Sequence, residues 1–467
     1  MTRLDDQKLS RKRRWILGLF GCAGLIACGI NNPEGGHSSP LNVLLVVVDT
    51  LRADHLGVYG YEVETSPRID EFAREALVFE SMYSQAPWTK PSIASMFTSL
   101  YPPQHLVLKE GTDNQLSNSL TTLAEVLADA GYRTGAVSQN PHVQAKTGFD
   151  QGFGEFHGIP GYQSGVDEMV SIGSDFLDKG GDAPFFLYMH FLDPHGPYDP
   201  PAEFRKEYVG NLSTQKKRIF TGRVGKMLAD EEMIQEFSGS DLPFLEALYD
   251  GEIRWVDSAV GKMLDALQAR GLRERTLVIF TADHGEEFLD HGTVKHGYQV
   301  YEESINIPLI VRLPDGAVGR NSQRIAQHVD LMPTILDLTG LEAPPEVQGS
   351  SLRKTLEGVE SDADLAAFIG TSWRDIERYA VREGVWKLVG HVDQDRMELY
   401  NLSVDPAEKL NVIADHADIA DRLLAAYLEN TASIQGVTPE DATGASDPEL
   451  EKALRAIGYI GGDDEDQ

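Results

Sequence analysis

The chain has 467 residues, 41% of them hydrophobic and 24% charged, with a formal net charge of −32. That length suits one large α/β domain with a smaller appendage, and that hydrophobic content is enough to build a real core. The acidity excludes nonspecific nucleic-acid binding, which needs basic patches, and leaves the substrate open.

The first segment is read as a targeting signal. Four basic residues, Arg11 to Arg14, precede thirteen mostly apolar ones from Trp15 to Ala27. That is the length of a secretory signal core and too short for a membrane-spanning helix. Leu25-Ile26-Ala27-Cys28 resembles a bacterial lipobox, which implies a lipid on Cys28 and a signal peptide at residues 1–27. Gly29, in place of an aspartate, points by the same resemblance to the outer membrane, periplasmic face. The chain from Cys28 onward carries 35 basic and 71 acidic residues, a formal charge of −36. Cys22 and Cys28 are the only cysteines, so the body offers neither a disulfide nor a cysteine nucleophile. Residues 28–40, rich in Gly, Ser and Pro, read as a tether.

Three apolar runs follow, each ending in a titratable residue. "NVLLVVV" (42–48) ends at Asp49, "PFFLYMHFLDPH" (184–195) at His195, and "TLVIFTAD" (276–283) at Asp283-His284-Gly285. Such continuous runs predict strands buried on both faces. Helical patterns lie between them, among them "SLTTLAEVLADAGY" and "ALYDGEIRWVDSAVGKMLDALQARG". The alternation predicts a mostly parallel sheet flanked by helices, with ligands at the carboxyl ends of the strands.

"QAPWTKPSIASMFTSLYPPQH" (85–105) supplies a hydroxyl. Pro91 fits a first helical turn, which places Thr89 at or just before the N-cap. A hydroxyl there feels the positive end of the helix dipole, which favours a bound oxyanion. The dipole alone cannot ionise a threonine, whereas a metal on its oxygen can. Asp49, Asp283 and His284 are the hard oxygen and imidazole ligands that a metal would need.

Later segments are read more coarsely. Residues 205–245 lack periodicity and suit a lid or recognition insertion. "RYAVREGVWKLVGHVDQDRMELYNL" (378–402) predicts three antiparallel strands, followed by the helix "DIADRLLAAYLENTASI". Arg52 and Asp54 suit an ion pair behind the site. Asn140 suits either a polar substrate contact or an Asn-Pro turn. His291 reads as a solvated surface residue, and the tail "GGDDEDQ" as a solvating end. The boundaries expected are a catalytic domain at 41–340, a C-terminal α+β subdomain at 341–440 and a tail at 441–467.

Six motifs in order resemble those of the sulfatase family, within the alkaline-phosphatase-like superfamily. They are "NVLLVVVDTLRADHLGVYGY", "APWTKPSIASMFTSLYPPQH", "FLYMHFLDPHGPY", "TADHGEEFLDHG", "HGYQVYEESINIPLIVRLP" and "HVDLMPTILDLTGL". The resemblance runs from about residue 41 to about residue 415, where "ELYNLSVDPAEKLNV" matches the family's C-terminal segment. It implies that Asp49, Asp283 and His284, with Thr89, hold one divalent metal. Calcium, magnesium or manganese suits those ligands, and zinc is also compatible. It implies that His195 and His296 contact the ester or protonate the leaving group, and that Lys295 could serve in place of His296.

Three positions depart from the family pattern. Thr50 stands where a second metal-binding aspartate is usual. Thr89 occupies the nucleophile position of Cys-x-Pro-x-Arg, and Ile93 stands at its arginine. Threonine is not a precursor of formylglycine, the aldehyde hydrate of typical sulfatases. Threonine nucleophiles belong instead to relatives acting on phosphorus, such as phosphoglycerol and phosphoethanolamine transferases and alkaline-type phosphodiesterases. The expected function is therefore a metal-dependent hydrolase or transferase that cleaves a phosphate or phosphonate ester through a covalent Thr89 intermediate. A sulfuric ester hydrolase using Thr89 and a non-catalytic binding lipoprotein are the alternatives. The expected substrate is a small-molecule, glycan or lipid-headgroup ester.

Overall fold

The run Asn42–Val48 forms strand β1, and all seven of its residues are buried. It lies at the middle of the sheet because only there does a strand lose both faces to packing. The computed structural model describes residues 40–159, 165–181, 183–210, 241–314, 316, 319–359, 366–374, 376–432, 438 and 441–456. The expected signal peptide, nearly all of the tether, most of the 205–245 insertion and the acidic tail lie outside these residues. From Pro40 onward the chain forms one unit.

The remaining strands of the large sheet are β2 (Leu77–Tyr83), β3 (Arg133–Ser138), β4 (Glu155–Gly158), β5 (Phe185–Phe191) and β6 (Thr276–Ala282). After a small ribbon, β7 (Glu287–Phe288) with β8 (Val294–Lys295), come β9 (Asn306–Arg312), β10 (Arg320–Ser322) and β11 (Ala326–Gln327). The order is β10-β2-β9-β6-β1-β5-β3-β4, with β11 also on β2. Only β9 runs antiparallel to its neighbours β2 and β6. The helices Pro67–Ala73, Gly165–Asp178 and Ala202–Val209 gather on the long helix Leu242–Ala269, whereas Thr89–Thr98 packs with Leu123–Asp129 and Leu331–Thr339. This is the mostly parallel, helix-flanked sheet that the apolar runs predict.

Register carries the fold to the site. Val48 of β1 is paired with Ala282 of β6 on one side and with Phe191 of β5 on the other. Asp49 and Asp283 each follow one residue after a matched pair, so the two carboxylates meet at the same sheet edge. Ser138 of β3 pairs with His190 of β5, which brings Asn140 to that edge two residues later.

The C-terminal sheet has four strands, one more than expected: β12 (Ala367–Trp373), β13 (Ile376–Glu383), β14 (Trp386–His391) and β15 (Arg396–Asn401), all antiparallel. Alternate residues cover its two faces. Ile369, Ala380, Val389 and Tyr400 pack on Tyr83, Tyr301 and Ile305 of the larger sheet's surroundings. Tyr379, Val381, Leu388 and Leu399 pack under the helix Ala417–Ala432, through Ala420 and Leu423.

An ion cluster joins this sheet to the short helix Glu302–Ile305 that precedes β9. Fully buried Lys387 on β14 sits 2.9 Å from Glu302 and 2.9 Å from Glu408. Removing one member of such a cluster strands the others' charges in a low dielectric. Lys387→Met is therefore expected to cost about 3–5 kcal/mol of stability, read as a lowered urea midpoint. An unchanged midpoint would mean that the two carboxylates simply take up protons.

Candidate active site

The helix that carries the candidate hydroxyl spans Thr89–Thr98 and begins at Thr89 itself. Trp88, extended at φ −159° and ψ 159°, occupies the N-cap, so Thr89 is the first helical residue and Pro91 the third. Thr89 is fully buried. Ile93, one helical turn further along the same face, is also fully buried and belongs to the main core. No cation occupies the position at which the family motif has arginine.

Asp49, Asp283 and His284 each offer a ligand atom, and these atoms all lie within 4.8 Å of one another. Two backbone N–H groups, from Thr50 at 3.1 Å and His284 at 2.8 Å, donate to Asp283 Oδ1. Asp283 Oδ2 and Asp49 Oδ1 are buried and accept no hydrogen bond. His284 Nδ1 lies 2.9 Å from the Gly285 carbonyl, which can only accept, so Nδ1 carries the proton and Nε2 presents its lone pair. That Nε2 stands 3.5 Å from each orphaned carboxylate oxygen and 3.3 Å from Thr89 Oγ1. Two carboxylate oxygens, an imidazole lone pair and a hydroxyl thus converge on one point, a donor set that fits a divalent cation.

Electrostatics agree with that reading. Burial raises the Asp49 carboxyl well above its ordinary range, and the charge of Asp283 adds to the effect. Burial pushes Asp283 up to about 6, against the opposing pull of His190 and its hydrogen bonds. His284 falls to about 4, again through burial. Two carboxyls pushed up beside a neutral imidazole are a site short of positive charge.

Asn140 turns out to belong to this cluster. Its Oδ1 accepts the His142 N–H at 2.7 Å, so the amide orientation is settled and Nδ2 must face the other way. There Nδ2 donates to Asp49 Oδ2 in a short hydrogen bond and to Thr89 Oγ1 at 3.3 Å. A local turn and a role in the site are both present at this Asn-Pro step.

The histidines form a row beside the cluster. His296 packs on His284 with ring centroids 4.4 Å apart, and on His195 at 4.9 Å. His296 Nδ1 faces Glu286 at 3.0 Å, and Glu286 also accepts the Tyr198 hydroxyl at 2.8 Å. His195 stands four residues past the end of β5, and its Nδ1 donates to the Gly196 carbonyl at 2.7 Å. Burial lowers both imidazoles well below their ordinary range, with neighbouring imidazoles adding to the effect. Lys295 is half-buried on β8, where the charge of Glu286 acts on it. Burial lowers it to about 8.

Two of the remaining expectations turn out differently in degree or kind. Arg52 pairs with Asp54 as expected, at 2.8 Å, and also with Asp290 at 2.8 Å. His291 is not a solvated surface residue. It stacks on Tyr301 with centroids 3.6 Å apart and lies 2.6 Å from Glu303, leaving its side chain only 11% exposed. His142, His190 and Glu286 were not singled out from sequence. His190 is internal to β5 and His142 follows a proline, so neither stands at the end of an apolar run.

A large, mostly parallel sheet flanked by helices, with an antiparallel C-terminal subdomain, is the architecture of the alkaline-phosphatase-like class of hydrolases, and Asp49, Thr89, Asp283 and His284 gather at its carboxyl edge. Within that class the chain belongs to the sulfatase family, whose sequence pattern it matches over residues 41–341. Residues 290–432 also match the C-terminal region of N-sulphoglucosamine sulphohydrolase. It is 26% identical to an arylsulfatase of Clostridium perfringens, over 80% of this chain and 90% of that one. It is 27% identical to human arylsulfatase A, over 83% and 86% respectively. Among solved structures, the phosphonate monoester hydrolase of Agrobacterium radiobacter shares the fold with a TM-score of 0.68 at 22% identity, covering 87% of this chain and 99% of that one. The protein is thus a sulfatase-family hydrolase.

Proposed function

We propose that the protein is a metal-dependent phosphate or phosphonate ester hydrolase, or the corresponding transferase, working through a covalent Thr89 intermediate. The observation that carries this reading is the placement of Thr89 Oγ1 beside His284 Nε2 and Asn140 Nδ2, with Asp49 and Asp283 around it. A bound divalent cation would supply Lewis-acid polarisation at that hydroxyl and at the substrate's anionic oxygens. Thr89 Oγ bonds to phosphorus as its hydroxyl proton passes to the neutral imidazole of His296 or His195, and the bond from phosphorus to the leaving oxygen breaks as that imidazole returns the proton to it. Water, or a second hydroxyl in a transferase, then releases the phosphoryl group from Thr89.

Phosphorus is favoured over sulfur on chemical grounds. A formylglycine hydrate ejects sulfate by intramolecular elimination, because its second hydroxyl can collapse to the aldehyde. Threonine has no second hydroxyl, so a sulfothreonine would need water to attack sulfur. A phosphothreonine is open to ordinary metal-assisted water attack. The fold neighbour from Agrobacterium radiobacter, named for phosphonate monoesters, supports a phosphorus substrate on this scaffold. The arylsulfatase relatives support sulfate esters as the second reading.

The test is a parallel assay of p-nitrophenyl sulfate, p-nitrophenyl phosphate, a p-nitrophenyl phosphodiester and a p-nitrophenyl phosphonate, with manganese, calcium, magnesium or zinc. The phosphodiester or phosphonate is expected to turn over at least about a hundredfold faster than the sulfate, a gap of roughly 3 kcal/mol in barrier. A preference for the sulfate would overturn the phosphorus reading. For location, the lipid on Cys28 would hold the enzyme at the outer membrane's periplasmic face, within reach of glycan or lipid-headgroup esters. No helix among the described residues is long and apolar enough to cross a membrane.

A further inference from the structure

Thr50 follows the metal-ligand candidate Asp49 in a left-handed backbone conformation, φ 54°. For a β-branched residue this is an outlier, because Cβ crowds the neighbouring carbonyl. Its own side chain does not relieve the cost: Thr50 Oγ1 is buried and has no hydrogen-bond partner. Something outside the turn must therefore hold it.

That something is a tyrosine from a distant helix. Tyr249, on Leu242–Ala269, is fully buried, and its hydroxyl reaches both sides of the turn. It donates to the Thr50 carbonyl at 2.7 Å and accepts the Arg52 N–H at 3.0 Å. The ring is fixed edge-on against His55 and Phe288, with centroids 5.0 Å away in each case. The strained turn directs the Thr50 N–H at Asp283 Oδ1, 3.1 Å away. Together with the His284 N–H it occupies that oxygen and leaves Asp283 Oδ2 facing the cation point.

We infer that Tyr249 is a positioning residue for the metal site, clamping Thr50 in its left-handed turn so that Asp283 presents one oxygen to the cation. The inference rests on the reading that Asp49, Asp283 and His284 hold a divalent metal. Without the clamp the turn relaxes toward negative φ, the Thr50 N–H leaves Asp283, and the carboxylate is free to rotate. A glycine at position 50 adopts positive φ without that cost and needs no clamp.

The test is calorimetric titration of manganese(II) into chelator-treated protein without substrate, so that the result does not depend on which ester is cleaved. Tyr249→Phe is expected to weaken manganese binding by about fivefold to thirtyfold, the range set by the cost of a left-handed residue. Adding Thr50→Gly to that variant is expected to restore most of the affinity, whereas adding Thr50→Ala, which keeps Cβ, is not. Rescue by glycine alone is a signature that a merely structural role for Tyr249 would not produce. Equal affinity in Tyr249→Phe and wild type, or equal rescue by alanine, would overturn the inference. If Tyr249→Phe is too unstable to titrate, the glycine double variant must melt higher than Tyr249→Phe and bind manganese; failure of either overturns it. Wild-type protein that binds no manganese would instead overturn the metal reading beneath it.

Discussion

Thr89→Ala is expected to reduce turnover by about four to six orders of magnitude, the scale seen when a covalent nucleophile is removed. Among the described residues Thr89 supplies the hydroxyl that stands against His284 Nε2 and Asn140 Nδ2, and its loss leaves that place without one. The stability cost should be small by comparison. Alanine removes the buried hydroxyl and the γ-methyl, so the loss is of hydrogen bonds and one methyl's packing, about 1–3 kcal/mol. Rapid-quench mass spectrometry on the wild type should find a phosphoryl group on Thr89, and the variant should carry none. A Thr89→Ala enzyme that keeps most of its activity would remove this residue from the chemistry.

Chelation is the second large effect. Removing the divalent ion is expected to lower activity by about three orders of magnitude or more, with recovery when manganese, magnesium or calcium is returned. It should also lower the melting temperature, because a ligand that binds only the folded state stabilises it by mass action. The pH dependence of that gain has a definite sign. Asp49 and Asp283 are raised above their ordinary range, Asp283 to about 6, so protons compete with the cation for both carboxylates. In the metal-free protein the Asp283 carboxyl is protonated when folded at a pH where the unfolded chain has released that proton. Its stabilising contribution is therefore full below the unfolded value near 3.9 and is lost as pH rises through about 6. His284, lowered to about 4, is neutral from about pH 5 upward and sets no limit there. The metal-induced rise in melting temperature should accordingly grow between pH 5 and pH 7.5. A rise that is flat or shrinks over that span would contradict the carboxylate ligand set.

Much of this site could be read from strand ends alone. β1 and β6 are apolar throughout because both faces are buried, and Asp49 and Asp283 stand out as the first charges after them. Parallel pairing in register then does the rest, since matched strands deliver matched ends. What could not be read depends on contacts between distant segments. Thr89 reads as a helix start with no sign of burial, yet it is fully buried, and Trp88 beside it packs in a cluster with Trp373 and Leu454. His291 reads as a surface residue because Tyr301, which stacks on it, and the Glu408 carbonyl, 3.2 Å from Nε2, come from elsewhere in the chain. Lys90, next to Thr89, carries no signal of its surroundings in the sequence. It is fully buried and donates to the Lys109 and Gly111 carbonyls at 3.1 and 2.7 Å. The fourth strand of the C-terminal sheet, β12, went unread because "AFIGTSW" carries only weak alternation.

The cover over Trp88 has a consequence for when the enzyme becomes competent. Residues near 442–447 bond back to 112–115: the Gln115 N–H reaches the Ala442 carbonyl at 2.9 Å and the Gly444 N–H reaches Asp113 at 2.7 Å. The following helix, Pro448–Ala456, brings Leu454 onto Trp88 and Trp373. A ribosome or an export channel delivers the chain from its amino end, so Thr89 emerges about 365 residues, some four-fifths of the sequence, before Leu454 arrives to enclose its neighbour. Thr89 is thus made early and the cover over its neighbour late, so a partly delivered chain carries this hydroxyl without the surroundings that enclose it.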